Sequence, residues 1–132
     1  MDRIMISTTE VKVRGYHIDQ FGHVNNARYL EFLEEGRWFY AEENDHFEMF
    51  HTRGIGHVTV NIAINYRKSA FVGNMLRIET SVLKKGNKSL TMQQHVYLND
   101  TQELLADAEV TNVYFYEKSG ETVPVEEVFI SK

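Results

Sequence analysis

Between residues 58 and 67 the chain alternates strictly: Val58, Val60, Ile62, Ile64 and Tyr66 stand against Thr59, Asn61, Ala63, Asn65 and Arg67. Side chains repeat every second residue only along an extended strand, so this run predicts a strand with one face buried and one face wet. Three further strand-like runs follow, at about 75–83, 90–98 and 104–116. Gly86-Asn87 separates the first two of these and Asn99-Asp100 the last two, and both dipeptides suit tight turns. The connections are therefore expected to be hairpins, and the sheet antiparallel. A sheet of this kind has an apolar face that something must cover.

The cover is legible upstream. A loose alternation over 4–14 adds one more strand, and a turn-rich stretch follows over 15–26. Over 25–44 the period changes. At 100° per residue Tyr29, Leu33, Gly36 and Tyr40 fall on one stripe, flanked by Leu30 and Phe32, while Arg28, Glu31, Glu35 and Glu42 fall opposite. Gly36 inside the apolar stripe weakens a helix, which makes sense where the helix lies very close to a sheet. Asn25 is the expected N-cap, because its side chain can accept from an otherwise orphaned N–H. A short second helix is expected over 45–53. Strand, long helix, then four antiparallel strands is an α+β order, with the sheet wrapping the helix or carrying it on one face. Either way the helix N-terminus lies beside the loop over 15–26.

Length and composition narrow the rest. The chain has 132 residues, the size of one domain, and we expect a single unit over 1–132. Pro124 is the only proline, and nothing resembles a linker or a repeat. There is no cysteine, hence no disulfide, no thiolate nucleophile and no Cys-based zinc site. A formal net charge of −5 argues against a nucleic-acid partner. No apolar run approaches the roughly 20 residues that span a bilayer, and no basic leader precedes an apolar stretch, so no membrane partner and a cytoplasmic location are expected. The six histidines show no metal-ligand spacing, and no metal is expected.

The informative chemistry lies in Gly15-Tyr16-His17-Ile18-Asp19-Gln20-Phe21-Gly22-His23-Val24-Asn25-Asn26-Ala27-Arg28-Tyr29. It sets a carboxylate and an imidazole four residues apart, just ahead of a helix start. The first turn of a helix has unpaired N–H groups and a partial positive charge, which suit an oxyanion. Hydrolysis of an ester or thioester needs such a site for the carbonyl oxygen and a base or nucleophile at the carbon. Asp19 and the backbone N–H of Asn26 are the candidates for the two halves. On pattern alone Asp19 is more often a turn or cap residue, His23 a surface or structural histidine, and Asn25-Asn26 capping chemistry. The residues by themselves leave a plausible acyl-transfer site and no more.

Asp-x-x-x-His-Val-Asn-Asn-x-x-Tyr-x-x-Phe-Leu-Glu, from Asp19 to Glu34, resembles the signature of the 4-hydroxybenzoyl-CoA thioesterase-like hotdog family. The run Val13-Arg14-Gly15-Tyr16-His17, the helix from Ala27 to Trp38, Val60-Asn61-Ile62 and Ile64-Asn65-Tyr66-Arg67 are more similar still to long-chain acyl-CoA thioesterases of the FadM type. The resemblance runs from about residue 11 to 113. It implies a helix wrapped by a curved five-stranded antiparallel sheet, and a homodimer or homotetramer with active sites at the dimer interface. It further implies hydrolysis of medium- to long-chain acyl-CoA with no cofactor beyond water. Asp19 matches the catalytic aspartate, as nucleophile or as base for water, and Asn26 the position whose N–H polarises the carbonyl. Gly22 matches the residue that admits the substrate to the loop, while His23, Asn25 and Tyr29 match motif positions at the site. Plant acyl-ACP thioesterases carry an Asn two residues after the aspartate, where this chain has Phe21, which argues against copying their mechanism.

Lys84, Lys85 and Lys88 flank the Gly86-Asn87 turn, and Arg67-Lys68 follow another strand. These are solvated turns or a landing site for CoA phosphates, since basic groups and turn amides suit phosphate oxygens. Phe32, Trp38, Phe39, Phe47, Met49 and Phe50 are core or the lining of an acyl tunnel. The competing readings are an acyl-ACP thioesterase, a non-catalytic acyl-CoA-binding hotdog module and a hotdog dehydratase. The acidic charge disfavours an acidic carrier protein, and the Asp-first motif disfavours the other two.

Overall fold

The computed structural model describes residues 4–129, so positions 1–3 and 130–132 of the expected 1–132 domain lie outside the described residues. β1 (Ile6–Lys12) leads through a single 3-10 turn (Gly15–His17) to α1 (Arg28–Glu43) and α2 (His46–Arg53). β2 (Ile55–Tyr66), β3 (Met75–Lys85), β4 (Ser89–Leu98), β5 (Glu103–Tyr116) and a four-residue α3 (Val125–Val128) complete the order. The strands form one sheet, β1-β3-β4-β5-β2, with each neighbouring pair antiparallel. α1 lies over the β1–β3 side of the sheet. Each element read from the sequence is present, and both hairpins form; α3 was not foreseen.

One face of β3, β4 and β5 is buried on the helix side of the sheet. Leu76, Ile78 and Thr80 of β3, Leu90, Met92, Gln94 and Val96 of β4, and Ala106, Ala108, Val110, Asn112 and Tyr114 of β5 are buried there. Opposite faces carry Arg77 and Glu79, Gln93 and His95, Asp107 and Glu109, which gives these strands the alternation of a sheet wet on one side. Buried apolar residues divide into two clusters. One holds Val13, Val24, Tyr29, Phe32, Leu33 and Ile78, and the other holds Tyr40, Ile55, Leu90, Met92, Tyr114 and Val128. Gln94, fully buried, bridges helix and sheet: its Nε2 donates to the Leu33 carbonyl at 2.8 Å and to Thr80 Oγ1 at 2.9 Å. Gly36 faces this bridge, and a Cβ there would stand 2.8 Å from Ile78 and 2.9 Å from both Gln94 and Thr80. The close approach expected at Gly36 is thus present.

Three expectations need correction. The helix starts at Arg28 rather than Asn25, with Ala27 as a cap that makes no side-chain bond. Asn25 acts one step earlier: its Oδ1 accepts the Ala27 N–H at 3.0 Å and its carbonyl accepts the Arg28 N–H at 2.9 Å, a local turn that competes with capping. Leu30, read as flanking the buried stripe, is exposed. The alternating run over 58–67 is not one continuous face either. A bulge between Thr59 and Asn61 shifts its register, pairing Val58 with Val113 but Ile62 with Val110. Residues 113 and 110 lie on opposite faces of β5, so Ile62, Ile64 and Tyr66 sit on the helix side and Val58 on the outer side. β2 is also an edge strand, and Val58, Val60 and Ile62 remain 48%, 55% and 36% exposed.

Candidate active site

The loop that joins β1 to α1 folds back on itself. Ile18 bridges Val24, the Asp19 N–H donates to the His23 carbonyl at 3.0 Å, and the Asn25 N–H donates to the His17 carbonyl at 2.9 Å. Gly22 makes the reversal with φ of +87°, a conformation that other residues adopt only under strain, and open space surrounds its Cα. The Val24 N–H donates to the Ala70 carbonyl at 2.9 Å, tying the loop to the β2–β3 connection. His17 anchors the base of the loop. It is buried against Phe32, and its Nδ1 accepts the Arg14 N–H at 2.8 Å. Burial, then the nearby Arg28 cation, holds its imidazole below the usual histidine range, so it stays neutral and able to accept.

On this frame the Asp19 carboxylate is presented with one oxygen engaged. Oδ1 accepts the Phe21 N–H at 2.9 Å, while Oδ2 faces His23 Nδ1 at 3.6 Å, beyond hydrogen-bond distance. The Asp19 side chain is 20% exposed. A few residues on, the amides can be counted. Those of Val24, Asn25, Ala27 and Arg28 all donate within the protein. Among the described residues nothing accepts the Asn26 N–H. An uncommitted amide and a half-engaged carboxylate in one hydrogen-bonded loop are the two components that attack on a carbonyl requires. Around them Tyr16, Phe21, Phe71 and Val72 form an exposed apolar rim.

The structure therefore brings together Asp19, Gly22, His23, Asn25 and Asn26. Tyr29 is different: it is buried, packed on Phe32 and edge-on to Tyr66, so in this chain it backs the site rather than lining it. Burial pushes its hydroxyl up to about 12. Arg67 lies at the same end of the sheet on the outer face, its Nε bonded to Asp107, which holds the Asp107 carboxyl below the usual carboxylate range. Lys84 and Lys85 end β3 at the opposite end of the sheet, nine and ten residues from Met75, or about 30–33 Å at roughly 3.3 Å per residue, and Lys88 lies in the turn beyond them. Within one chain they cannot reach a ligand atom at Asp19. Among the described residues no group of three or more His, Cys, Asp or Glu side chains is placed to hold a metal ion.

That far end also holds a cavity of about 200 Å³, lined by Trp38, Tyr40, Phe47, Phe50, Met92 and Tyr114 among others. Trp38 and Phe47 pack with ring centroids 4.6 Å apart and planes tilted by 36°. So Phe32 is core, whereas Trp38, Phe47 and Phe50 line open space. Arg37 borders the cavity and donates to Gln94 Oε1 at 3.0 Å; burial lowers the pKa of its guanidinium. Sequence reasoning gave His17 and Tyr66 no role of their own: both stand in the runs that carry the resemblance, but each acts through a contact that only the fold creates.

The chain matches the model of the thioesterase-like superfamily over residues 13–132. It is 42% identical over 118 residues to the long-chain acyl-CoA thioesterase FadM of Escherichia coli strain K12, covering 89% of each chain. The crystal structure of YbaW, a probable thioesterase from Escherichia coli, superposes with a TM-score of 0.86 at 41% identity, covering 91% of this chain and 90% of that one. A 1,4-dihydroxy-2-naphthoyl-CoA thioesterase from Synechocystis shares the fold, with a TM-score of 0.79 at 17% identity and coverage of 94% and 92%.

Proposed function

Because the chain belongs to the thioesterase-like superfamily and has its α+β hotdog fold, we propose that it hydrolyses medium- to long-chain fatty acyl-CoA to free fatty acid and CoA. The observation that carries this reading is the pairing of the Asp19 carboxylate, one oxygen unengaged, with the uncommitted Asn26 N–H on a single loop. Asp19 acts on the thioester carbonyl carbon as nucleophile or as base for water, and the Asn26 N–H takes the charge that develops on oxygen. The C–S bond breaks, CoA leaves as its thiol, and water supplies the oxygen of the released carboxylate. Gly22 keeps the loop open to the substrate, and His23 and Asn25 complete its polar wall. The working unit is one domain, cytoplasmic, with no metal or organic cofactor.

The same proposal includes a homodimer or homotetramer. β2 is a 12-residue edge without proline, and its Val58, Val60, Ile62 and Tyr66 side chains are exposed; left open, such an edge invites aggregation. Antiparallel pairing of β2 with its own copy buries it and sets the Ile55 end of one protomer against the Tyr66 end of the other. The aromatic cavity of one copy then faces the Asp19 loop of its partner, where it suits an acyl chain. Lys84, Lys85 and Lys88 come to the same side, as candidates for the CoA phosphates. Arg67, which meets Asp107 through Nε, is a further candidate.

The test is thiol release across a panel of acyl-CoA chain lengths, with wild type and Asp19→Asn. Activity on the longer chains, lowered at least about 100-fold in the variant, is expected. An Asp19→Asn protein that keeps a third of wild-type turnover removes Asp19 from the reaction.

A further inference from the structure

One peptide in the candidate site is fastened at both ends. The Asn26 carbonyl accepts the Tyr66 hydroxyl at 2.9 Å, across 40 positions of sequence. The N–H of that same peptide, on Ala27, donates to Asn25 Oδ1 at 3.0 Å. The peptide before it, Asn25–Asn26, has its carbonyl held by the Arg28 N–H at 2.9 Å. Only its own N–H, that of Asn26, has no acceptor among the described residues. Peptide groups are rigid planes, so holding the planes on both sides of the Asn26 Cα leaves its N–H a single direction.

Taking Asn26 as the oxyanion donor, we propose that Tyr66 is a positioning residue for thioester hydrolysis: its hydroxyl holds the Asn26–Ala27 peptide so that the Asn26 N–H points at the developing oxyanion. Tyr66 closes β2 on the helix side of the sheet, opposite Ala106. Its ring stands edge-on to buried Tyr29, centroids 5.3 Å apart at 81°, which braces it from behind. Tyr66 is 46% exposed, yet its hydroxyl bonds the loop. Burial also raises the Tyr66 pKa, so the hydroxyl keeps its proton and remains a donor through the neutral range. The assignment gives Tyr29, a core residue packed on Phe32, a second part as the brace of Tyr66.

Losing an oxyanion donor outright lowers kcat by about 10²–10³, and mis-aiming one should forfeit part of that. Tyr66→Phe keeps the ring and its brace and removes only the hydroxyl. On an acyl-CoA that wild type turns over, kcat should fall about tenfold with KM within about twofold, because the aim of the N–H matters most in the transition state. The pH dependence, assembly state and melting temperature should stay those of wild type. Asn25→Ala, which frees the other end of the same peptide, should show the same split. A Tyr66→Phe enzyme with wild-type kcat, or one whose loss follows a loss of folded protein, overturns the proposal. A wild type inert on every acyl-CoA defeats the thioesterase reading and this proposal with it, whereas an active wild type beside an unchanged Tyr66→Phe defeats this proposal alone. Amide exchange in the unmodified protein tests the frame directly. The Asn26 amide should exchange at least about tenfold faster than those of Asn25 and Ala27, the factor that a hydrogen bond worth about 1.4 kcal/mol confers. Equal protection of the three overturns it.

Discussion

Gly36→Ala adds one methyl group where helix and sheet meet most closely. The new carbon would lie 2.8 Å from Ile78 Cγ2 and 2.9 Å from Gln94 Nε2 and Thr80 Oγ1, all on fully buried residues. None is the free end of a flexible side chain, since Gln94 is tied to Leu33, Thr80 and Arg37. Alanine favours the helix by about 0.5–1 kcal/mol over glycine. Against that, overpacking a filled core costs about 1–3 kcal/mol. Prising Gln94 from one partner leaves a buried polar group unsatisfied, at about 1–3 kcal/mol more. The net is a destabilisation of about 1–5 kcal/mol, centred near 3, which lowers the melting temperature by roughly 10 °C in a chain of this size. Urea unfolding followed by circular dichroism, at matched protein concentration, should show the midpoint fall with an unchanged slope. An alanine variant as stable as wild type would refute the argument, because the helix could not then lie this close to β3 and β4.

Burial depresses the pKa of both His17 and His57, so the unfolded chain binds more protons than the folded one as pH falls through 6.5. Stability should be flat above neutrality and decline below about pH 6.5, with His17→Gln removing part of the decline; a melting temperature that rises on acidification to pH 5.5 contradicts this. Neutralising Lys84, Lys85 and Lys88 together should raise KM for acyl-CoA and leave kcat mostly intact, an effect that weakens with salt and vanishes for acyl-pantetheine. If the triple variant handles both substrates like wild type, the hairpin is a solvated turn. Val58→Glu with Val60→Glu puts two charges on the β2 edge and should shift sedimentation towards monomer with loss of activity; an active wild-type monomer would exclude the edge-paired assembly.

The elements were legible because each is written in a local period. The 3.6-residue stripe through Tyr29, Leu33, Gly36 and Tyr40 needs no knowledge of the sheet, and Gly86-Asn87 marks a turn whatever it connects. Gly36 could be read further, as a point of close approach, because a glycine in an apolar stripe has few other uses. The Val60 bulge could not be read. Five alternating apolar residues look like one face, and only pairing with β5 shows that the register slips by one between Thr59 and Asn61. The same run misleads about burial, since alternation reports that a face is covered without saying whether the cover belongs to this chain or to another copy.

The candidate site divides along the same line. Asp19, Gly22, His23 and Asn26 stand close together along the chain, so a local motif is enough to bring them to notice. What the motif cannot supply is the reason that one amide among five is available, and that reason is an accounting of hydrogen bonds. Val24 donates to Ala70, Asn25 to His17, Ala27 to the Asn25 side chain and Arg28 to the Asn25 backbone, which leaves the N–H of Asn26. Two of these contacts involve neighbours within the turn and belong to Asn chemistry that sequence reasoning assigned instead to a helix cap. Ala70, and Tyr66 on the Asn26 carbonyl, arrive from the β2–β3 region some 40 residues later, where nothing local hints at their targets. A loop that must hold an unbonded amide against water needs partners outside itself, because residues within a turn are free to rearrange together. The contacts that make such a site rigid are thus the ones a sequence motif is least able to record.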